Sequence, residues 1–436
     1  MHNYQPSNSF SAMKLTDNIR QLFSKEHRSY YDKVFWLMMV FLVAISILTD
    51  FSASAQLAHR HIANGSNHLI PIYSHTAFLL GGLLLAYVVQ LLPSWFIRGL
   101  AYVLVALSIV FLLLTFVPGF GVEINGARRW LRLGIVFQPS EIAKISLIIV
   151  VADLLARMDG KDPDQRRKLF IAALALIIVI CGLIMLSNLS TAVMLGGVVF
   201  IMMFLARVDW KVLVGMVATA VVLLVIGYSI VKFGYINQHR EMNGPLKRSI
   251  TWVNRIDKKL ASDDEPLPTA INDDNRQEVC SYIAVARGSR TPLGVGVGNS
   301  KERDFLPLAF ADSVFAIYVE ETGIIGAVAL IFIYLTILFR ACTSSNRFGD
   351  HAAMLMVMGL GLLITLQAFI SMAVVVGIGP VTGQPLPMIS RGGTGILLTS
   401  LYFGVMMAVS REQNQLKAQT LVIEKESMQD EAELVS

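Results

Sequence analysis

The sequence predicts an all-α polytopic integral membrane protein, with about ten transmembrane helices and a large extracytoplasmic loop between helices 7 and 8. Three observations carry this. Only 15% of its 436 residues are charged while 55% are hydrophobic, against roughly 25% charged in a soluble domain. The hydrophobic residues fall in repeated runs of the length a bilayer core demands, about 20 residues per helix. The basic residues gather in alternate connections between those runs, the pattern that orients a chain in a membrane.

The runs lie at roughly 34–53, 75–92, 99–117, 138–156, 169–187, 190–206, 211–232, 313–339, 352–376 and 392–410. Backbone polar groups in lipid must be paired within their own segment, so each run is expected to be a helix. With the N-terminus inside, the cytoplasmic side receives Lys14, Arg20, Lys25, Arg28 and Lys33, then Arg98, Arg157, Lys161, Arg166, Arg167 and Lys168, then Arg207, Lys211, Arg340 and Arg347. The short outer connections receive only Arg60, Arg128, Arg129, Arg132 and Arg391. An even number of spans then places both termini in the cytoplasm. The chain so divides into a cytoplasmic tail (1–33), a membrane domain (34–410) with its outer loop (233–312), and a second cytoplasmic tail (411–436). That second tail reads as an amphipathic or disordered end, acidic at Asp430, Glu431 and Glu433.

Several classes are excluded or disfavoured. The first 33 residues are polar and the first apolar run lacks a cleavage-type site, so a cleaved secretory signal is not expected. Cys181, Cys280 and Cys342 have no pairing or metal-ligand spacing. The formal charge of +5 is what an oriented membrane protein carries and gives no argument for nucleic acid. His59, His61, His68 and His75 lie in or beside the first outer loop, where solvated histidines are the default over metal ligands.

Four polar stretches could carry chemistry. The first is Asn125-Gly126-Ala127-Arg128-Arg129-Trp130, followed by Gln138-Pro139-Ser140-Glu141-Ile142-Ala143-Lys144. Pro139 suits a helix start, and Glu141 and Lys144 then share one face of the first turns. They read either as an intrahelical ion pair or, with Arg128 and Arg129, as a cationic site at the outer surface able to hold phosphate groups. The second is the end of the long loop, 305–312, where Asp312 sits at an N-cap position. It reads either as a capping carboxylate or as a proton acceptor for a sugar hydroxyl. The middle of that loop, Asp263 to Asn275, is rich in Asp, Asn and Pro and reads as mobile.

The third stretch, Gly294-x-Gly296-x-Gly298 with Asn299, Ser300 and Lys301, has no βαβ setting and is not a dinucleotide site. A tight turn or a close ligand approach fits better. Ser229-x-x-Lys232 lacks companion motifs and reads as chance. The fourth stretch, Gly379 to Thr394, holds three prolines and four glycines and cannot be an ordinary spanning helix. It is a simple outer connection or packs around a wet cavity.

At these residues the chain resembles the SEDS family (shape, elongation, division and sporulation proteins). The matching elements are Gly126-Ala127-x-Arg129-Trp130 and Gln138-Pro139-Ser140-Glu141-x-x-Lys144; then Gly294-x-Gly296-x-Gly298-Asn299-Ser300 with Phe305-Leu306-Pro307, Asp312 and Glu320-Glu321-x-Gly323; then Pro380-x-x-Gly383-x-Pro385-Leu386-Pro387-x-Ile389-Ser390-x-Gly392-Gly393. The resemblance spans about 34–411, and Thr382 with the Arg128-Arg129 pair looks more like the division branch than the elongation branch. It departs at Arg391, where the family usually has Tyr, at Leu186-Ser187-Asn188, and at Leu308-Ala309-Phe310.

The resemblance implies a glycosyltransferase that polymerises lipid II into glycan strands outside the bacterial inner membrane during division, paired with a class B penicillin-binding protein and other divisome membrane proteins. It puts the essential aspartate at Asp312. It also makes Arg128, Arg129, Trp130, Gln138, Glu141, Lys144, Asn299, Ser300, Lys301, Pro385, Ser390 and Arg391 the substrate-binding candidates. A divalent cation, magnesium or manganese, is an alternative to basic side chains for offsetting pyrophosphate charge. The rival readings are a lipid II flippase, an elongation-type polymerase and a division scaffold.

Overall fold

The computed structural model describes residues 30–63, 65–124, 127–236, 249–254, 257, 275–306, 309–346, 348–379 and 382–435. The N-terminal tail before Tyr30, most of the stretch expected to be mobile, and Pro307, Leu308, Pro380 and Val381 lie outside the described residues.

The chain folds as a helical bundle in which each of the ten apolar runs coincides with a helix. These are α1 (Lys33–Ala53), α3 (Ile70–Gln90), α4 (Ser94–Leu114), α5 (Pro139–Ala156), α6 (Pro163–Ser187), α7 (Leu189–Leu205), α8 (Trp210–Val231), α10 (Val314–Ser345), α11 (His351–Val375) and α12 (Gly393–Val435). Two further helices, α2 (Ala55–Ala63) and α9 (Arg276–Gly288), lie in the connections. Among the described residues eight helices are long and apolar enough to cross a membrane. The other two runs fall short for different reasons: α7 has 17 residues, and α5 carries Glu141, Lys144 and Asp153.

Local chemistry sets the helix ends. Pro71, Pro139 and Pro163 open α3, α5 and α6, where a missing N–H costs nothing. Asp32, Asn188, Asp209 and Asp350 cap α1, α7, α8 and α11 by accepting backbone N–H bonds from Val34, Thr191, Lys211 and Ala352. Asp312 does not cap α10, contrary to expectation; Ser313 is the N-cap and makes no side-chain cap bond. The chain turns once more through 309–313 before the helix begins.

Burial orders the bundle. The apolar window of α11 is 72% buried and that of α8 only 6%, so α11 is central and α8 peripheral. Leu80, Leu84, Val103, Leu223 and Phe332 are among the large apolar side chains left exposed on the helices, as a lipid solvent permits. At the end opposite the long loop, buried Asp32 accepts from Arg340 Nε at 2.9 Å and from Ser410 Oγ at 3.1 Å. Arg98 bridges Asp153 and Asp350 there, at 3.9 and 3.2 Å.

Two features at the loop end were not foreseen. Three short strands, β1 (Gly121–Ile124), β2 (Ala127–Leu133) and β3 (Ile135–Phe137), form an antiparallel sheet in the order β1-β2-β3. The fold is therefore helical with one small sheet rather than purely helical. And α10 is broken at Gly323, with φ 69° and ψ −162°. The glycine-rich turn docks into that break: Val295 N and Gly296 N donate to the carbonyls of Glu320 and Glu321, and Ile325 N donates to Pro292 O. A Cβ at Gly323 would lie 2.4 Å from Gly294 N, so only glycine admits the turn. The helix groups orphaned at the break are thus paired with the turn's backbone, as buried polar groups require. The second tail is described as helix, α12 running on to Val435.

Candidate active site

Three segments converge at the loop end of the bundle. The sheet and the start of α5 bring Arg129, Trp130, Gln138 and Glu141; the turn before α10 brings Phe310, Ala311 and Asp312; the irregular stretch 383–392 and the start of α12 bring Pro385, Ser390, Arg391, Thr394 and Thr399. Gln367 of α11 joins them. They line one cavity of about 270 Å³.

The irregular stretch is held by its backbone. Ser390 Oγ donates to Ala311 O at 2.7 Å and accepts from Leu386 N at 2.7 Å. Arg391 N donates to Phe310 O at 2.8 Å. Tyr334 OH donates to Pro387 O at 2.6 Å, and Gln367 Nε2 to Pro385 O at 3.1 Å. The turn that carries Asp312 is therefore tied to the proline-rich stretch on one side and to α10 on the other. Gly383, at φ 64°, passes between the reactive groups: a Cβ there would lie 3.4 Å from Arg129 Nη1 and 3.5 Å from Asp312 Oδ2. Arg129 and Asp312 thus converge on one point, a cation and a carboxylate beside the same space.

Beneath them lies a buried pair. Lys144 Nζ is 2.8 Å from Glu141 Oε1 and donates to Gln367 Oε1 at 2.9 Å. Tyr402 OH donates to Glu141 Oε2 at 3.3 Å. Lys144 has no exposed side-chain surface, so it is not part of a surface cationic site. Three residues along a helix that enters the bundle put it almost a full turn deeper than Glu141. Its two partners, Glu141 and Gln367, line the cavity.

Arg128 is not brought to the cavity. It is 52% exposed and lies 3.4 Å from Glu123 on the neighbouring strand. The register of β1 and β2 shifts here, Glu123 pairing with Arg128 and Val122 with Trp130, so Arg129 is the extra residue of a bulge, a device that re-aims a side chain. Asn299, Ser300 and Lys301 also lie elsewhere. Ser300 Oγ and Lys301 N donate to the Glu320 carboxylate, Gly298 N and Ser300 N donate to Glu321 Oε1, and Asn299 Nδ2 donates to Val295 O at 3.2 Å. Gly298, Ser300 and the Lys301 backbone fasten the glycine-rich turn onto buried Glu320 and Glu321, while Asn299 braces the turn itself. Glu302 completes that cluster; burial and the Glu320 carboxylate push its pKa up, partly offset by Arg287 at 3.5 Å.

Gln367 and Thr399 are cavity residues that sequence reasoning passed over, and Thr394, the last residue of the fourth stretch, was not among its binding candidates. Gln367 left one signal, a lone amide inside an apolar run, which in a membrane segment marks a polar interior.

Residues 32–415 match the family model for the cell cycle proteins FtsW, RodA and SpoVE. The chain belongs to this family. Its relatives in the FtsW/RodA/SpoVE family include the probable peptidoglycan glycosyltransferase FtsW of Saccharophagus degradans, 33% identical over 352 residues that cover 78% of this chain and 84% of that protein. The corresponding protein of Nitrosomonas europaea is 29% identical over 389 residues, 88% and 93% of the two chains. Among solved structures, a chain of a peptidoglycan synthase complex superposes with a TM-score of 0.66 at 25% identity, over 88% of this chain and 98% of that one. RodA of Thermus thermophilus shares the fold, with a TM-score of 0.59 at 24% identity, over 88% and 97%. The helical membrane architecture expected from the sequence is the architecture of the family.

Proposed function

We propose that this chain is a peptidoglycan glycosyltransferase that polymerises lipid II on the outer face of the inner membrane during cell division. One observation carries the mechanism: Asp312 and Arg129 converge at Gly383 in a cavity that Arg391 also lines. The names of the relatives, probable peptidoglycan glycosyltransferase FtsW, support the activity and its division role.

Asp312 accepts the proton of the acceptor's sugar 4-hydroxyl as that oxygen bonds to the donor's anomeric carbon. The bond from that carbon to the pyrophosphate oxygen breaks, and undecaprenyl pyrophosphate leaves with the electron pair. The donor linkage is α and the product β, so one inverting displacement suffices. Arg129 and Arg391 offset the charge that gathers on the leaving group. Glu141, neutralised by Lys144, presents a fixed acceptor in the wall. Among the described residues no three His, Cys, Asp or Glu side chains are grouped to hold a metal; a magnesium or manganese ion would have to share Asp312 with phosphate oxygens. Bound so, it would add positive charge beside the pyrophosphate.

The proposal includes ten spans, both termini in the cytoplasm, a septal location, and a class B penicillin-binding protein and other divisome proteins as partners. The peptidoglycan synthase complex similar to this chain supports the penicillin-binding partner. One feature favours a second reading, a lipid II flippase: the break of α10 at Gly323 is the kind of discontinuous helix that transporters use.

The deciding experiment is polymerisation of lipid II by the purified chain with its partner. Wild type is expected to make glycan, and Asp312→Asn to insert, bind the partner and make none detectable. Loss of a general base typically costs about 10²–10⁴ in rate. Near wild-type polymerisation by Asp312→Asn removes the catalytic role and moves the flippase and scaffold readings ahead.

A further inference from the structure

One wall of the cavity is held by a charge that lies outside it. Asp50, near the end of apolar α1, is 2% exposed. Its Oδ1 accepts from Ser54 Oγ at 2.6 Å, and Ser54 Oγ accepts from Arg391 Nη1 at 3.0 Å. That nitrogen lies 4.0 Å from Asp50 Oδ1. Asp50 Oδ2 is buried with no hydrogen-bond partner. A carboxylate so placed needs a counter-charge, and among the described residues Arg391 is the cation paired with it.

Arg391 faces two ways. Its side chain is 20% exposed and lines the cavity beside Asp312, while one nitrogen is spent on Ser54. A guanidinium offers five donors in a fixed fork, so an anchor on one side leaves the remaining donors aimed. An unanchored arginine would lose rotamer freedom on binding an anion; an anchored one has already lost it.

We propose that Asp50, acting through Ser54, is a positioning residue that holds the Arg391 guanidinium in the cavity as a binding group for the substrate's pyrophosphate. This rests on the lipid II reading above. The plainer role for Asp50 and Arg391 is to pin the 382–392 stretch to α1. The two roles part in ligand affinity, which a merely structural pair does not control.

The test measures undecaprenyl pyrophosphate binding to the full-length detergent-purified chain, with thermal midpoints in parallel. Asp50→Asn and Arg391→Met are each expected to weaken binding about tenfold, the size of one charge-assisted hydrogen bond. Ser54→Ala keeps both charges and is expected to weaken binding by a smaller factor with little change in midpoint. The Asp50→Asn/Arg391→Met double variant is expected to bind no worse than Arg391→Met, and to recover the midpoint that Arg391→Met loses. Wild-type affinity in a folded Asp50→Asn variant, losses that add in the double variant, or no binding by the wild type would each overturn the proposal. Lipid II polymerisation by the wild type is followed separately: absence of glycan there defeats the polymerase reading, while the binding comparison decides the role of Asp50.

Discussion

The Lys144 ammonium lies 2.8 Å from the Glu141 carboxylate and has no exposed surface, while Glu141 is 11% exposed and opens onto the cavity. Breaking a buried pair by removing one partner strands the other charge, typically at a cost of about 3–5 kcal/mol. Lys144→Met should therefore lower the thermal midpoint of the purified chain markedly. Adding Glu141→Gln to it should restore most of the loss, because neither charge then remains. A folded Lys144→Met variant of wild-type stability would show that the pair contributes nothing.

Gly383 stands where the backbone threads between Arg129 and Asp312. Gly383→Ala forces a non-glycine residue to φ 64°, which costs about 1–2 kcal/mol. Its new methyl also meets Arg129 Nη1 at 3.4 Å and Asp312 Oδ2 at 3.5 Å. The expected result is a modest fall in thermal midpoint with a larger fall in lipid II polymerisation. Equal losses in Gly383→Ala and in a glycine-to-alanine control at Gly379 (φ 111°), away from the cavity lining, would reduce the effect to backbone strain.

Glu302 gives a pH dependence. Burial, then the Glu320 carboxylate, raise its pKa in the folded chain. A carboxyl with a raised folded pKa contributes stability that is fully present below its unfolded value and lost as pH rises through the folded value. Glu302→Gln should therefore melt above wild type at pH 8, and the gap should close as pH falls toward about 4, near the ordinary glutamate value. A gap independent of pH would assign the effect to packing.

Orientation is tested by labelling. In a cysteine-free background, a cysteine at Lys301, exposed at the loop end, should react with a membrane-impermeant reagent added outside intact cells. A cysteine at exposed Asp164, in the first turn of α6, should react only after the membrane is opened. The reverse pattern would place the cavity in the cytoplasm and defeat extracellular chemistry.

By itself the sequence determined the helices and much of the site's membership. Apolar runs of bilayer length admit one backbone solution, because lipid offers no other hydrogen-bond partner. The motif residues Arg129, Trp130, Gln138, Glu141, Asp312, Pro385, Ser390 and Arg391 do line one cavity. Tertiary structure decided what each of them faces. The register shift of the small sheet left Arg128 out in solvent and Arg129 in the cavity wall. Helix entry angle sank Lys144 below the surface. Packing of the glycine-rich turn into the break of α10 spent Asn299, Ser300 and the Lys301 backbone on structure. Gln367, Asp50 and Ser54 reached the cavity or its wall from helices distant in sequence. A chain pattern records which residues are polar and how far apart they lie along one element. Which of them meet depends on how separate elements pack, a matter of long-range contacts that local spacing does not encode.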